Sequence, residues 1–166
     1  MYLFEFTDRK INIYNLKKKI LIEEAISPNI IKDNKVYDYL KLVSSLNKIV
    51  NKHNLINSLF RIKFKILIFE RLSPSEIYLF KNLFNFTSNI IVEIVNVGKI
   101  FNENYIILSG DLIYYENRIL KKIKKGEYIL IGNSDNFNII KNKLEKKYKI
   151  DCLEYENSRT YIYENV

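Results

Sequence analysis

Apolar and polar residues alternate along the start of the chain in short runs. Tyr2–Phe6, Lys10–Tyr14 and Ile20–Ala25 are three such runs, and Thr7–Arg9 separates the first two. Alternation with a period of two is typical of strands that bury one face, and short polar gaps join neighbouring strands as hairpins. The pattern therefore predicts an antiparallel meander of three strands.

A helical period replaces this alternation after Pro28. Asp33 or Asn34 is available to cap the helix, because short polar side chains accept hydrogen bonds from the first free backbone N–H groups. We predict a first long helix whose apolar residues recur at helical spacing: Val36, Tyr39, Leu40, Val43, Leu46, Ile49 and Val50.

A second strand and helix follow in the middle of the chain. Phe64–Phe69 is a nearly continuous apolar run, as expected of a strand that is buried on both faces. Ser73, Pro74 and Glu76 have the spacing of a capping box with proline at the first helical position. The inner face of this helix and the returning strand are predicted from Ile77, Phe80, Leu83 and Phe84, and from Ile90–Val95.

The remaining residues repeat this plan in a shorter form. Gly132 is expected in a turn between a strand and a helix, a place where free N–H groups favour phosphate. We predict an α/β fold of two small lobes, residues 1–98 and 99–166, each a mixed sheet with packed helices. The predicted elements of the second lobe are strands Tyr105–Ser109, Leu112–Tyr115, Arg118–Ile123, Tyr128–Ile131 and Ile150–Tyr155, and a helix from about Asn136 to Tyr148.

The composition is that of a folded, soluble protein. The 166 residues are 48% hydrophobic and 28% charged, without the apolar depletion that marks disorder. No run reaches the roughly 18 apolar residues of a membrane helix, and the N-terminus lacks a signal-peptide pattern. We expect a cytoplasmic protein without a transmembrane segment, in which the single cysteine, Cys152, is a small buried hydrophobe.

The net charge of +8 raises the possibility of a nucleic-acid-binding module. Lysine supplies 22 of the 27 basic residues, and AT-rich codons favour lysine together with the abundant Ile, Asn, Tyr and Phe. Arginine, which binds bases and phosphates through its planar fork, occurs five times. We prefer solvated charged faces and keep nucleic-acid or anionic-membrane binding as the alternative for the basic, aromatic segments Lys121–Lys125, Tyr128 and Lys141–Lys149.

Two candidates for catalytic chemistry are weak. His53 is the only histidine, so a packed or half-exposed side chain is expected rather than a zinc site or a triad. Glu23 and Glu24 are adjacent on a predicted strand and point to opposite faces, so they cannot act as one acid/base pair. We expect them to be solvated charges at a strand edge.

The segments Ile20–Ser27, Ile31–Asp38, Phe64–Glu76 and Gly126–Asn136 resemble the actin-like ATPase superfamily, and are most similar to the MreB-type bacterial actins. Ile20–Ser27 followed by Ile31–Asp38 resembles a strand ending near Glu-Pro-Ser and an "I-x-D-G-x-I-x-D" segment. Phe64–Glu76 and Gly126–Asn136 are similar to "V-V-I-G-V-P-S-G-x-T-x-x-E" and "G-I-x-L-T-G-G-G-A". The resemblance implies a reduced actin-like (ribonuclease H-like) core in which the outer subdomains are absent.

The nucleotide loops depart from the family pattern. The first phosphate loop, "D-x-G-T", falls on Glu5–Asp8 and has no glycine, so the backbone cannot approach a phosphate closely. The second loop, "D-x-G-G-G-T", and the adenosine segment each keep one glycine. The resemblance thus implies a vestigial nucleotide cleft that would comprise Glu5, Thr7, Asp8, Gly110, Asp111, Gly132, Asn133 and Ser134.

These departures lead to a functional expectation. We expect no catalytic residues, no resident metal and no cofactor, with ATP and Mg²⁺ binding as the open exception. The chain is expected to be an inactive scaffold in a cytoskeletal or cell-envelope (cell-shape) assembly, binding a protein partner or itself through exposed strand edges. The alternatives are a nucleic-acid-binding module, a nucleotide binder without hydrolysis, or a two-metal nuclease using Glu5, Asp8, Glu70 and Asp111.

Overall fold

A computed structural model describes most of the chain. Its contacts divide the chain into two compact units: Met1–Ile68 with Leu72–Val95 (unit 1), and Phe69–Arg71 with Asn96–Val166 (unit 2). Each unit is described separately. The described residues are 1–32, 35–56, 60–69, 72–97, 100, 105–109, 112–115, 118–119, 128–133, 137–146, 150–152 and 162–166.

Unit 1 is built on a mixed five-stranded sheet with the order β3-β2-β1-β6-β7. The first three strands are antiparallel neighbours, which confirms the predicted meander, and β1 is parallel to β6. The elements of the unit are β1 (Tyr2–Phe6), β2 (Lys10–Asn15), β3 (Ile20–Ala25), β4 (Ile31–Lys32), β5 (Lys35–Val36), α1 (Tyr39–Lys52), β6 (Ile62–Ile68), α2 (Pro74–Lys81) and β7 (Ile90–Asn96).

Helix α1 begins later than predicted. Its N-cap is Asp38, whose Oδ1 accepts a hydrogen bond of 3.0 Å from the backbone N–H of Lys41. The prediction that Asp33 or Asn34 caps this helix is wrong, because Lys35–Val36 is a strand paired with Ile31–Lys32, and the helix begins only after it. Val36 therefore lies in a strand.

Helix α2 begins as predicted. Ser73 Oγ accepts from the Glu76 N–H, and Glu76 Oε2 accepts from the Ser73 N–H at 2.8 Å, which completes the capping box. The predicted inner face is partly wrong, since Ile77 is 36% exposed. The helix ends at Lys81, so the buried residues Leu83 and Phe84 reach the core from the following turn.

Three phenylalanine rings form the centre of the unit 1 core. Phe4 lies 4.8 Å from Phe64 and 4.9 Å from Phe84, and the last two rings are also 4.9 Å apart. Leu42 and Leu46 of α1 belong to the same buried cluster. Aromatic pairs at these distances each contribute about 0.5–1.5 kcal/mol beyond their buried area. The cluster therefore fixes β1, β6 and the segment after α2 against one another.

Unit 2 has a second mixed sheet of the same form, with the order β10-β9-β8-β11-β12. In both sheets the first strand pairs antiparallel with its hairpin partner and parallel with a later strand. The mixed α/β prediction is confirmed. The elements are β8 (Tyr105–Ser109), β9 (Leu112–Tyr115), β10 (Arg118–Ile119), β11 (Tyr128–Asn133), α3 (Phe137–Glu145) and β12 (Ile150–Cys152).

Some predicted elements of unit 2 are only partly described. Residues 120–123 of the strand predicted from Arg118, and residues 153–155 of the last predicted strand, lie outside the described residues. Asn136, Lys147 and Tyr148 of the predicted helix also lie outside them. None of the helices described in the chain is long and apolar enough to cross a membrane.

Candidate functional site

The base of the predicted first phosphate loop is a buried polar pair. Glu5 on β1 is 1% exposed and lies directly opposite Asn12 on β2, which is fully buried. Asn12 Nδ2 donates a hydrogen bond of 2.8 Å to Glu5 Oε2. The carboxylate at this position is thus bonded within the sheet.

The loop itself closes on its own polar groups. Thr7 donates twice to the carbonyl oxygen of Lys10, from its N–H at 3.0 Å and from Oγ1 at 2.8 Å. Thr7 Oγ1 also accepts from the Lys10 N–H at 3.2 Å. Asp8, at the tip of the turn, is exposed. The backbone and side chain of Thr7 are therefore committed to the β1–β2 turn.

The strands that lead to the second and third predicted loops are neighbours in unit 2. Gly132 pairs with Leu108, and Asn133 pairs with Ser109, in the parallel ladder between β11 and β8. The carboxyl ends of these two strands lie side by side, at the kind of position where open α/β sheets bind ligands. Gly110, Asp111 and Ser134 are next in sequence and lie outside the described residues.

The expected glycine turn at Gly132 is wrong. Pairing with β8 continues to Asn133, so both residues are the last positions of β11, and α3 begins at Phe137. Of the eight predicted site residues, Glu5, Thr7 and Asp8 belong to unit 1, and the others belong to unit 2.

The carboxylates proposed for a nuclease are only partly described. Glu5 is bonded to Asn12, whereas Glu70 and Asp111 lie outside the described residues. Within the part of the chain that the structure describes, no three His, Cys, Asp or Glu side chains lie together as a group that could hold a metal ion.

A polar cluster that the sequence reading missed joins β3 to the end of α1. Glu24 Oε1 accepts a hydrogen bond of 2.7 Å from Lys52 Nζ and contacts His53 Nε2. The hydrogen bond from Lys52, followed by that from His53, lowers the pKa of Glu24. Basic residues at a helix C-terminus were the available signal, because cations are favoured there.

The two neighbouring glutamates point to opposite faces, as predicted. Glu23 Oε1 accepts from Lys10 Nζ at 2.5 Å, across the sheet from the Glu24 cluster. The expectation of two solvated charges is wrong for Glu24, whose side chain is 16% exposed because the end of α1 lies against it. His53 occupies the C-cap of α1 and is partly buried, as expected.

The basic segments are also partly described. Lys121–Lys125 lie outside the described residues, while α3 presents Lys143 to solvent. Lys141 lies 4.0 Å from Glu145 one turn along the same helix. The described part of this helix thus carries charges of both signs.

Similarity to known proteins is found among solved structures. No family model matches the sequence, and no curated protein gives a significant match. Among solved structures, MreB5 of Spiroplasma citri bound to ADP matches with a TM-score of 0.45 and 12% identity, covering 72% of this chain and 50% of that one. The ethanolamine utilization protein EutJ from Carboxydothermus hydrogenoformans matches with a TM-score of 0.47 and 8% identity, covering 96% and 59%.

The chain thus spans between half and three fifths of the length of these two proteins. Both TM-scores are below 0.5, and the strand order and register of the two sheets define the fold.

Proposed function

We propose that this chain is an actin-like interaction module that does not hydrolyse ATP and acts by binding a protein partner or a second copy of itself. The observation that carries the proposal is the self-closed β1–β2 turn. Its polar groups bond within the hairpin, through Glu5 to Asn12 and Thr7 to Lys10.

Phosphate chemistry needs different local structure. A phosphate loop presents unpaired N–H groups, usually with a glycine that lets the backbone approach the ligand. Here the Thr7 N–H donates to Lys10, and the Glu5 carboxylate lies at the base of the turn with Asp8 at its tip. A triphosphate would have to break the turn and approach two acidic side chains. Positioning of phosphates and Mg²⁺ is the main source of catalysis in phosphoryl transfer. A turn that does not position them therefore supports a role in binding a protein partner without ATP turnover.

The setting that we propose comes from the sequence motifs. Ile20–Ser27 and Phe64–Glu76 resemble segments of the bacterial actins. We therefore infer a cytoplasmic, cytoskeletal or cell-envelope assembly, in which the chain acts as a scaffold in cell shape.

Steady-state phosphate release from ATP–Mg²⁺ by the purified chain tests the absence of turnover. We expect the rate to equal the buffer background, both for the natural chain and for Gly132→Ala. A steady rate above background that falls in Gly132→Ala would overturn the proposal, because it would place hydrolysis at the predicted nucleotide segment.

A nucleotide binder without hydrolysis is the second candidate. The observation that favours it is the pairing of Gly132 with Leu108 at the carboxyl ends of β11 and β8, where ligands bind in parallel sheets. This candidate differs from the first in its response to ATP, since a ligand that binds the folded state raises its stability.

A further inference from the structure

Two helical segments of unit 1 expose large apolar side chains. At the start of α1, Tyr37 and Leu40 are 66% and 79% exposed, and in α2, Tyr78 and Leu79 are 70% and 42% exposed. Tyr39, between the first two, is half-buried and packs against the core. Single exposed apolar residues are ordinary, whereas a contiguous group of them is typical of an interaction surface.

The two segments lie next to each other. Leu42 of α1 and Phe80 of α2 belong to one buried cluster, so both helices pack on the same side of the sheet. Burial raises the pKa of the Tyr39 hydroxyl, and the nearby Tyr78 raises it further. The exposed side chains therefore form one surface. We call it the aromatic patch, and it comprises Tyr37, Tyr39, Leu40, Tyr78 and Leu79.

The acidic groups beside the aromatic patch are already bonded within the chain. Asp38 caps α1 and forms an ion pair of 2.9 Å with Lys41. Glu76 accepts from both the N–H and the Oγ of Ser73 in the capping box. These bonds lower the pKa of Glu76, and the charge of Lys35 lowers it further. Neither carboxylate needs a partner from another molecule.

Two lysines at the border of the aromatic patch are available to a partner. Lys35 lies two residues before Tyr37, and Lys81 lies one turn after Tyr78. Both are exposed, and neither forms an ion pair within the part of the chain that the structure describes. A second copy docked here would bring two basic borders together, whereas an acidic partner would complement both lysines.

The side chains of the patch favour a protein over an anionic membrane. Three of the five are tyrosines, which are enriched in protein interfaces because one ring offers apolar area and a hydrogen-bonding hydroxyl. Surfaces that bind anionic lipids typically combine Trp, Phe or Leu with about four to eight basic residues. The chain has no Trp, and the border of the patch carries two available lysines.

We propose that the aromatic patch binds an acidic segment of a partner protein, one that carries apolar anchors beside Asp or Glu. The inference rests on the proposed function as an interaction module and names the class of partner. Apolar anchors would pack on Leu40 and Tyr78, where truncation should cost most. Carboxylates would lie against Lys35 and Lys81, which set the orientation of the segment.

Fluorescence anisotropy with a designed peptide tests the inference on the full chain. The probe is a labelled amphipathic peptide of about 15 residues, with Leu and Phe at helical spacing and Glu between them. We expect saturable binding with a Kd of about 10–100 µM, weakened by added salt. A peptide with Lys in place of Glu, and one with Ala in place of Leu and Phe, should each bind at least about tenfold more weakly.

Two truncations test the apolar anchors. Leu40→Ala and Tyr78→Ala should each weaken binding about tenfold, because each removes a side chain at the centre of the contact. Both side chains are mostly exposed, so the variants should stay folded, which circular dichroism checks. Ile139→Ala, on the exposed surface of α3, is the matched control and should bind like the natural chain within about twofold.

Charge reversal tests the border of the patch. Lys35→Glu and Lys81→Glu should each weaken binding at least about fivefold, because each sets a carboxylate against the acidic peptide. Lys18→Glu, in the turn between β2 and β3, makes the same change of net charge and should lower affinity by less than about twofold.

Amide chemical-shift changes in the spectrum of the full chain locate the peptide independently. We expect them to concentrate in residues 35–41 and 76–81. No binding of the peptide up to about 1 mM would overturn the inference. Binding that Tyr78→Ala and Lys81→Glu leave unchanged would also overturn it, since the contact would lie elsewhere.

Two further results would replace the partner. Binding to phosphatidylserine vesicles that Tyr78→Ala abolishes, without binding to the peptide, would assign the patch to a membrane. Concentration-dependent dimerisation that Tyr78→Ala abolishes, measured by sedimentation velocity, would assign it to a second copy. Either result would overturn the inference. Phosphate release from ATP is measured without the peptide, so failure of this inference and failure of the proposed absence of turnover are distinguishable.

Discussion

At the scale of single residues, the pair of Glu5 and Asn12 defines the chemistry of the predicted first nucleotide loop. Asn12 Nδ2 satisfies one oxygen of a buried carboxylate, while Asn12 Oδ1 has no hydrogen-bond partner within the described part of the chain. A hydrogen bond to a charged group contributes about 1.5–3 kcal/mol, and an unsatisfied buried carbonyl offsets part of this. The Glu5–Asn12 pair thus makes a moderate net contribution to the stability of the sheet.

Asn12→Ala should lower the free energy of unfolding by about 1–2 kcal/mol, because it removes a donor to Glu5 together with the unsatisfied oxygen. Urea unfolding followed by circular dichroism measures the change. Asn47→Ala, on the exposed face of α1, is the matched control and should stay within about 0.5 kcal/mol of the natural chain. An equal loss of unfolding free energy in both variants would show that the buried hydrogen bond stabilises the chain no more than the exposed one does.

The sequence predicted part of this arrangement. The absence of glycine from Glu5–Asp8 already indicated that a phosphate could not approach closely. The bond from Asn12 could not be predicted, because it depends on the β1–β2 register, and a shift of one residue turns every side chain to the other face. The placement of Gly132 within β11 depends in the same way on pairing with β8.

At the scale of elements, Glu24 ties an edge strand to a helix. Its carboxylate accepts hydrogen bonds from Lys52 and His53 at the end of α1, which closes the side of β3 that faces the helix. On the other face of the sheet, Glu23 of the same strand accepts a hydrogen bond from Lys10 of β2. Side-chain hydrogen bonds therefore hold β3 on both faces of the sheet.

The pKa of Glu24 predicts a dependence of stability on pH. The hydrogen bond from Lys52, and then that from His53, lowers this pKa in the folded state from its ordinary value of 4.5. The stabilisation is therefore complete above about pH 4.5 and is lost as the pH falls through the folded-state pKa.

Glu24→Gln should reduce the free energy of unfolding by about 1 kcal/mol at neutral pH, a discounted figure because Lys52 is largely exposed. The difference from the natural chain should shrink below about pH 4. Urea unfolding between about pH 3 and 7 measures both effects. Glu145→Gln, on the exposed face of α3, is the control. A difference in unfolding free energy between Glu24→Gln and the natural chain that stays constant down to the lowest pH would contradict the role given to the ionised Glu24 carboxylate.

Helix starts show which signals act locally. The capping box at Ser73 and Glu76 was predictable because all of its partners lie within four residues. The cap at Asp38 was not, because it depends on the pairing of β5 with β4 just before the helix. Ile77 was misplaced for a related reason, since a two-turn helix leaves part of its apolar spacing outside the core.

At the scale of the whole molecule, two units repeat one strand order. The sequence predicted this from the recurrence of strand, helix and strand patterns, because such periodicity needs no knowledge of long-range contacts. The proposed absence of ATP turnover and the proposed role as an interaction module both require that the predicted nucleotide segments do not bind ATP. Because these segments occur in both units, binding has to be measured on the full chain.

Thermal unfolding of the full chain, with and without ATP–Mg²⁺ at matched ionic strength, tests this central claim most directly. A ligand present at about 100 times its Kd adds about 2.7 kcal/mol of stability and raises the Tm of a chain of this size by roughly 5–10 °C. We predict no shift, because the β1–β2 turn is closed by Glu5, Asn12, Thr7 and Lys10. A rise of several degrees that Gly132→Ala abolishes would contradict the account and would indicate a nucleotide-responsive protein.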